Sequence, residues 1–421
     1  MKTIKRLLIL AVIGFINTYG TEKNMLLTKS IFNDNVFEIT DKKENCESYI
    51  MGNSISGVRK LKDIIIYKDT AFFSTFPSVI RRPDGEILVA FRRAPDRKIF
   101  GEKSTNHVDP NSYLVLVRSH DNGETWTKEP ELIYAHPFGG SQDPCLLQLH
   151  DGTLLCTSYG WAFVRKEGLE NLKQPVFGNQ GGAVFLGGYV LRSTDNGNSW
   201  EGPFYPPSIP PEIKLSALGK PLPAYNRGAL YEGHDSRVFW VVAAGTDSDN
   251  LRKTSNYLLI SENNGLTWKY SCPVAVDDNV AFNETSIYET PNGDLVAFLR
   301  TAGLDDQACI ARSSDGGNSF ELWRQMGFQG HPLQALRLPD NRVLLVYGYR
   351  HIPYGIRARI LNAECTDYDT AEEIIIRTDG GSTDIGYPWA INLDDNRVLV
   401  IYYFNIENGT RYIAGSILKI D

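Results

Sequence analysis

The 421-residue chain has no apolar run longer than Leu7 to Ile16. A membrane-crossing helix needs about 20 such residues, so an export signal is expected in preference to a permanent anchor. Lys2, Lys5 and Arg6 precede that run and Thr18 and Gly20 follow it, so residues 1–20 read as an export signal. The mature protein is expected to be periplasmic or extracellular. Cysteine is scarce: Cys46, Cys145, Cys156, Cys272, Cys309 and Cys365 are too few for a disulfide scaffold, and their spacing fits no zinc site. Cys145 and Cys156 flank the turn His150-Asp-Gly152 and can face each other across a hairpin, but buried thiols are the expected state. Positive charge is also short, with 43 Lys and Arg against 50 Asp and Glu. That balance excludes a bulk electrostatic grip on nucleic acid or anionic lipid. Only His107 and Asp109 show ligand-like spacing, so no metal or cofactor is expected. No helix-period segment of useful length appears.

What is present is repetition. Four turns share one pattern: Ser119-His-Asp-Asn-Gly-Glu-Thr-Trp126, Ser193-Thr-Asp-Asn-Gly-Asn-Ser-Trp200, Ser261-Glu-Asn-Asn-Gly-Leu-Thr-Trp268 and Ser313-Ser-Asp-Gly-Gly-Asn-Ser-Phe320. The short Asp or Asn acceptor bonds the backbone within the turn, and the glycine takes positive φ. Six further turns each lead into a strand-forming run, beginning at Pro83, His150, His234, Pro291, Pro339 and Asp394. Repeats of this kind, each burying its faces against its neighbours, predict an all-β, six-bladed β-propeller over residues 55–421. Residues 21–54 are expected to form an N-terminal arm, and Lys62 to Tyr67 a closing strand. Gln174 to Gly187 and Pro203 to Pro223 are expected to be long surface loops. Asn283-Glu-Thr285 and Asn408-Gly-Thr410 match the glycosylation sequon, the first by coincidence.

The Ser-x-Asp-x-Gly-x-Thr-Trp turns resemble the Asp boxes of the sialidase (neuraminidase) superfamily. That resemblance implies a sialidase-type propeller, but the turns lie away from the active site in that family, so function rests on other residues. Phe282-Asn-Glu-Thr-Ser-Ile-Tyr-Glu289 and Leu295-Val-Ala-Phe-Leu-Arg300 are similar to the family's glutamate and substrate-gripping arginine, implying such roles for Glu284 and Arg300. Asp384-Ile-Gly-Tyr387 occupies the place of the nucleophilic tyrosine. Within Tyr354-Gly-Ile-Arg-Ala-Arg359, Arg357 is expected to be another arginine of the carboxylate-binding triad. A phenol with a pKa near 10 needs a base, and Glu284 supplies one. A neutral nucleophile suits a reacting carbon that carries a carboxylate, and guanidinium forks suit that carboxylate. Tyrosine-dependent sialidases depart from two-carboxylate glycoside hydrolysis in this way.

The chain departs from the family at two chemical positions. Thr75 stands where the first-blade arginine belongs, and His107 stands at the acid/base position, with Asp109 two residues on. Arg92, Arg93 and Arg97 offer replacement cations, Arg93 being the choice here. Asp143, Arg227 and His331 each precede an inner strand and are expected to point into the same central basin. The leading expectation is an exo-α-sialidase-like glycoside hydrolase acting on a glycan with a terminal acidic sugar. Hydrolysis or elimination on another uronate- or deoxysugar-containing polysaccharide, and a non-catalytic glycan-binding propeller, are the alternatives.

Overall fold

Strands with almost no exposed residue, such as Val238–Gly245, cannot sit at a solvent-facing sheet. They require cover on both faces, and the fold supplies it by packing sheet against sheet around an axis. The computed structural model describes residues 57–102, 107–178, 182–407 and 409–421. The expected export signal (1–20), the arm (21–54), Cys46 and the sequon residue Asn408 lie outside the described residues.

Among the described residues, twenty-four strands form six four-stranded antiparallel sheets, which confirms the six-bladed propeller. The first blade contains Phe72–Arg81, Ile87–Pro95, Tyr113–Ser119 and Glu131–Tyr134, in that order. The next four blades repeat this meander, with inner strands Gly139–Gln148, Tyr231–Glu232, Ala281–Glu289 and Leu333–Arg337. The sixth takes Gly386–Asn392, Arg397–Phe404 and Tyr412–Ile420 from the C-terminal end of the chain. Its outer strand is Val58–Tyr67, which pairs with Tyr412–Ile420 and closes the ring. The closing strand is therefore longer than the expected Lys62 to Tyr67. Of the two expected loops, the first turns into the strand Ala183–Ser193, and the two are joined where Val176 bridges Leu215. Cys145, Cys156, Cys272, Cys309 and Cys365 are buried free thiols.

Four inner strands carry a register shift near their start, between Thr75 and Ser78, Gln142 and Cys145, Phe282 and Thr285, and Gly386 and Trp389. Phe76, Asp143 and Tyr387 sit in three of these bulges at φ of 57°, 35° and 54°. Each is followed by proline, which has no N–H to offer the ladder. A bulge re-aims one side chain, and positive φ in a non-glycine residue costs of order 1–3 kcal/mol. Phe76, Asp143, Arg227, Glu284 and Tyr387 all stand five positions before the last residue of their inner strand. The ring thus delivers five different side chains to equivalent places at one end of the axis.

The Asp boxes join the third and fourth strands at the opposite end, since Ser119 pairs with Ile87 and Ile87 with Arg81. In the first box Ser119 Oγ accepts from Gly123 N at 2.9 Å, and Asp121 Oδ1 accepts from Thr125 N at 2.8 Å and from Ser119 Oγ at 2.9 Å. The closing tryptophan folds back onto its blade, as Trp268 does against Trp240 at 5.5 Å between rings. These hydrogen bonds hold Asp121 and Asp195 at a pKa of about 2 and push Asp315 down as well. A carboxyl depressed in the folded state gives stability that is full above pH about 4 and is lost as pH falls through about 2. Asn263 fills the same role as an amide, accepting from Thr267 N at 2.9 Å, so Asn fits the turn. The triple variant Asp121→Asn, Asp195→Asn, Asp315→Asn should therefore fold and lose stability less steeply than wild type between pH 4 and 2. Denaturant melts across that range check this, and parallel curves would contradict it.

Candidate active site

Glu284 and Arg300 meet because of register. Phe282 pairs with Thr301 and Thr285 with Leu299, so the bulged Asn283 and Glu284 lie opposite Arg300. Arg300 Nη1 donates to Glu284 Oε2. Tyr387 arrives from the sixth blade, and its Oη donates to Glu284 Oε1 at 2.5 Å while accepting from Arg300 Nη1 at 2.9 Å. Burial and the Glu284 charge push the phenol well above its usual range, against the pull of Arg300. Burial also opposes ionisation of Glu284, yet Arg300, Arg227 and the hydrogen bond from Tyr387 outweigh it and hold that carboxyl below its ordinary value. The resting pair is a neutral phenol aimed at an ionised carboxylate. That is the arrangement needed to move the phenolic proton at the moment of attack.

Two more guanidinium groups flank the phenol ring. Arg227 Cζ lies 4.2 Å and Arg350 Cζ 5.3 Å from its centroid. Arg227 is fully buried and is fixed by donating to the carbonyls of Pro77 at 3.1 Å and Tyr387 at 3.4 Å. Arg350 is fixed through Nε and Nη2, which donate to the Ile385 carbonyl at 3.1 and 3.0 Å. Cations over a ring face stabilise negative charge that develops on it.

Asp143 forms another wall. It is 2% exposed, Tyr159 Oη donates to its Oδ2 at 2.6 Å, and its Oδ1 has no protein partner. Burial and the Glu284 charge raise it to a pKa of about 6, against Arg227, Tyr159 and Arg92. His107 stacks on Phe76 at 5.4 Å, its carbonyl accepts from Gln142, and its Nε2 lies 3.3 Å from Asp384 Oδ1. Burial, with Arg92, Arg350 and Arg411, lowers the His107 pKa, and Asp384 opposes them. Asp384 also accepts from Tyr403 at 2.9 Å and from Arg411 at 2.8 Å. A cavity of about 370 Å³ opens beside Glu284 and Arg227, walled by Tyr159, Trp161, Phe185 and Tyr225.

The structure brings together Tyr387, Glu284, Arg300, Arg227, Asp143, His107 and His331. Three expectations are corrected. Arg93 points to the other side of its strand, where it donates to Asp69 and Tyr113 and stacks on Phe72 at 3.4 Å. Arg92 is the residue that faces the axis. It pairs in register with Thr75, is fully buried, and its charge acts on Asp109, Asp143 and Asp384. Arg357 is engaged in its own blade, donating to the carbonyls of Arg377 and Pro353 and stacking on Tyr349, and Arg350 takes the expected place beside Tyr387. Asp109 is unsuited to acid/base work, because Arg97 grips both its oxygens at 2.6 and 2.8 Å and Asn111 N adds a third bond. Its role is to hold the loop that carries His107.

Residues 171–400 match the BNR repeat-like domain family. A protein of unknown function from Dyadobacter fermentans is 70% identical, with a TM-score of 0.85, and the alignment covers 87% of this chain and 100% of that one. The NanB sialidase of Streptococcus pneumoniae is 15% identical with a TM-score of 0.57, covering 85% and 70%. An α-L-arabinofuranosidase of Fusarium graminearum is 12% identical with a TM-score of 0.57, covering 85% and 97%. At these identities the last two show a shared propeller fold. No curated protein matches.

Asp143 generates a stability test. Its folded pKa of about 6 lies above the unfolded value near 4, so wild type loses stability as pH rises from about 4 to 6. Asp143→Asn cannot ionise. Its stability relative to wild type should therefore rise by about 3 kcal/mol between pH 4 and 7, at about 1.4 kcal/mol per pKa unit. A gap that stays constant with pH would show that the buried carboxyl is not raised.

Proposed function

The chain belongs to the BNR repeat-like domain family, and from that premise we propose that it is a glycoside hydrolase releasing a terminal acidic sugar, by exo-α-sialidase-type chemistry. The observation that carries this reading is the Tyr387–Glu284–Arg300 contact. Charge supports the acidic sugar: Arg92, Arg227, Arg300, Arg350 and Arg411 outnumber Glu284, Asp143 and Asp384 around the basin. An anionic substrate balances that excess, and guanidinium forks match a carboxylate.

In this reading Tyr387 Oη attacks the anomeric carbon as its proton passes to Glu284. The glycosidic C–O bond breaks, and the leaving oxygen takes a proton from Asp143. That role, expected of His107 or Asp109, passes to Asp143 because it alone of the three is buried, raised and keeps an unpartnered oxygen. Asp143, now a carboxylate, then takes a proton from water, which attacks the glycosyl-tyrosine. The C–O bond to Tyr387 breaks and Glu284 returns the phenolic proton. His107 lines the mouth of the basin against the sugar. The reading of residues 1–20 as an export signal supports a site of action outside the cytoplasm.

Release of a chromogenic leaving group from sialosides and other acidic glycosides tests the assignment. Tyr387→Phe should lose turnover, and equal rates for it and wild type would refute the nucleophile. Because Asp143 must carry its proton, kcat/KM should fall as pH rises through about 6. Asp143→Asn should be slower by about 10²–10⁴-fold and should lack that limb. A pH profile unchanged by the substitution would assign the acid elsewhere.

A further inference from the structure

The two long segments outside the repeat pattern, Gln174 to Gly187 and Pro203 to Pro223, build a wall that the reaction described above does not use. They are joined where Val176 bridges Leu215 and where Leu215 N donates to the Pro175 carbonyl at 2.7 Å. Phe177 from the first and Lys214 from the second line the cavity of about 370 Å³ beside Glu284, together with Trp161, Tyr225 and Arg252. Its rings form a continuous surface: Trp161 lies 5.7 Å from Phe177 and 5.0 Å from Phe185, and Phe185 lies 4.6 Å from Tyr225. Apolar walls with a few polar groups are the usual make-up of a small-ligand site.

The catalytic groups around this cavity decide which part of a substrate enters it. Glu284 and Arg227 line it, whereas Tyr387, Arg300 and Arg350 do not. Asp143, which gives the leaving oxygen its proton in the proposed reaction, is tied to the cavity wall, since Tyr159 Oη donates to its Oδ2 at 2.6 Å. A sugar with its carboxylate at Arg300 and Arg350 and its anomeric carbon at Tyr387 therefore turns its leaving oxygen toward Asp143. Whatever that oxygen carries passes over Tyr159 into the cavity.

The charged side chains in the walls are Lys214, Arg227, Arg252 and Glu284. Glu284 and Arg227 act on each other, and buried Lys214 donates to Tyr225 Oη and lies 3.8 Å from Glu212 Oε2. Arg252 differs. It is exposed, and its guanidinium lies over the Phe177 ring at 5.8 Å. Of the acidic residues in its own loop, Asp247 pairs with Lys253 at 3.9 Å, and among the described residues no carboxylate pairs with Arg252.

We propose that this cavity seats the leaving sugar and that Arg252 binds a carboxylate on it, so that the substrate carries two acidic sugars in succession. This rests on the reading of the basin as an acidic-sugar hydrolase site. The rings meet the C–H face of the leaving pyranose, and a guanidinium stacked on a ring presents its fork to a carboxylate at the sugar's edge. A neutral leaving sugar stacks on the same rings but leaves Arg252 without a partner.

Steady-state hydrolysis of N-acetylneuraminyl-galacturonate and N-acetylneuraminyl-galactose of the same linkage tests this on the full-length protein, because the two differ only in the carboxylate of the leaving sugar. Wild type should show a kcat/KM about fivefold higher for the galacturonate. That ratio should shrink as NaCl is raised from about 0.05 M to about 0.5 M. Arg252→Gln should bring the ratio close to one, and Arg252→Lys, which keeps the charge without the fork, should retain part of it. Phe177→Ala should raise KM for both disaccharides. Arg252 is exposed, so its replacement spares the core, and melting temperatures identify a variant that has not folded. A wild-type ratio of one, or a ratio that survives Arg252→Gln while both rates fall together, would overturn the role of Arg252 and leave the acidic-sugar site standing. Unchanged KM for both disaccharides in Phe177→Ala would overturn the cavity as the seat of the leaving sugar. Wild type that cleaves a chromogenic acidic glycoside but neither disaccharide would overturn this inference alone, and cleavage of none of them would overturn the reading of the basin as well.

Discussion

A carboxylate held below its ordinary pKa inside a protein demands positive charge around it, and the centre of this propeller is organised by that demand. Glu284 is ionised because Arg300 and Arg227 stand against it and the Tyr387 phenol donates to it. The same cations bracket the phenol. Removing any one of them would leave a buried charge uncompensated, which is why Arg227 and Arg350 are each tied down by backbone carbonyls. The positive excess that remains after these contacts is what the proposed acidic sugar would offset.

The ring supplies positions, and the bulges supply directions. Equivalent points on the inner strands carry an aromatic ring, two carboxyls, a guanidinium and a phenol, so one scaffold operation repeated around an axis yields a chemically mixed basin. Positive φ at Phe76, Asp143 and Tyr387 is unfavourable locally and is held in place by sheets covered on both faces. The Asp boxes, at the far end of the strands, hold turns and take no part in the chemistry, which explains how they recur on propellers of different function.

The architecture was legible because turn chemistry is local: Asp, Asn and Gly at fixed offsets specify hairpins wherever they occur, and the blade count follows from counting them. Glu284, Arg300 and Tyr387 were legible because each lies in a segment with neighbours of distinctive type. The choice among Arg92, Arg93 and Arg97 failed on parity, since alternate residues of a strand face opposite sides. A usable signal was present: Arg92 follows Gly85 by the same seven positions as Arg300 follows Gly293. Arg350 was hidden because it stands nine positions after Asn341, the residue at the corresponding place in its turn, and lies just past the strand Val343–Tyr349. Asp109 misled because its neutraliser, Arg97, lies twelve residues away across a loop whose path the sequence does not state.

In the proposed reaction a phenol, activated by Glu284 and stabilised by guanidinium groups, forms the bond to the sugar. Incubation with a fluorinated acidic glycoside that slows breakdown of the intermediate, followed by peptide mass spectrometry, examines that bond itself. The glycosyl group should be found on Tyr387 and be absent in Glu284→Gln. The label on an aspartate or glutamate, or steady turnover with no adduct on any residue, would contradict it.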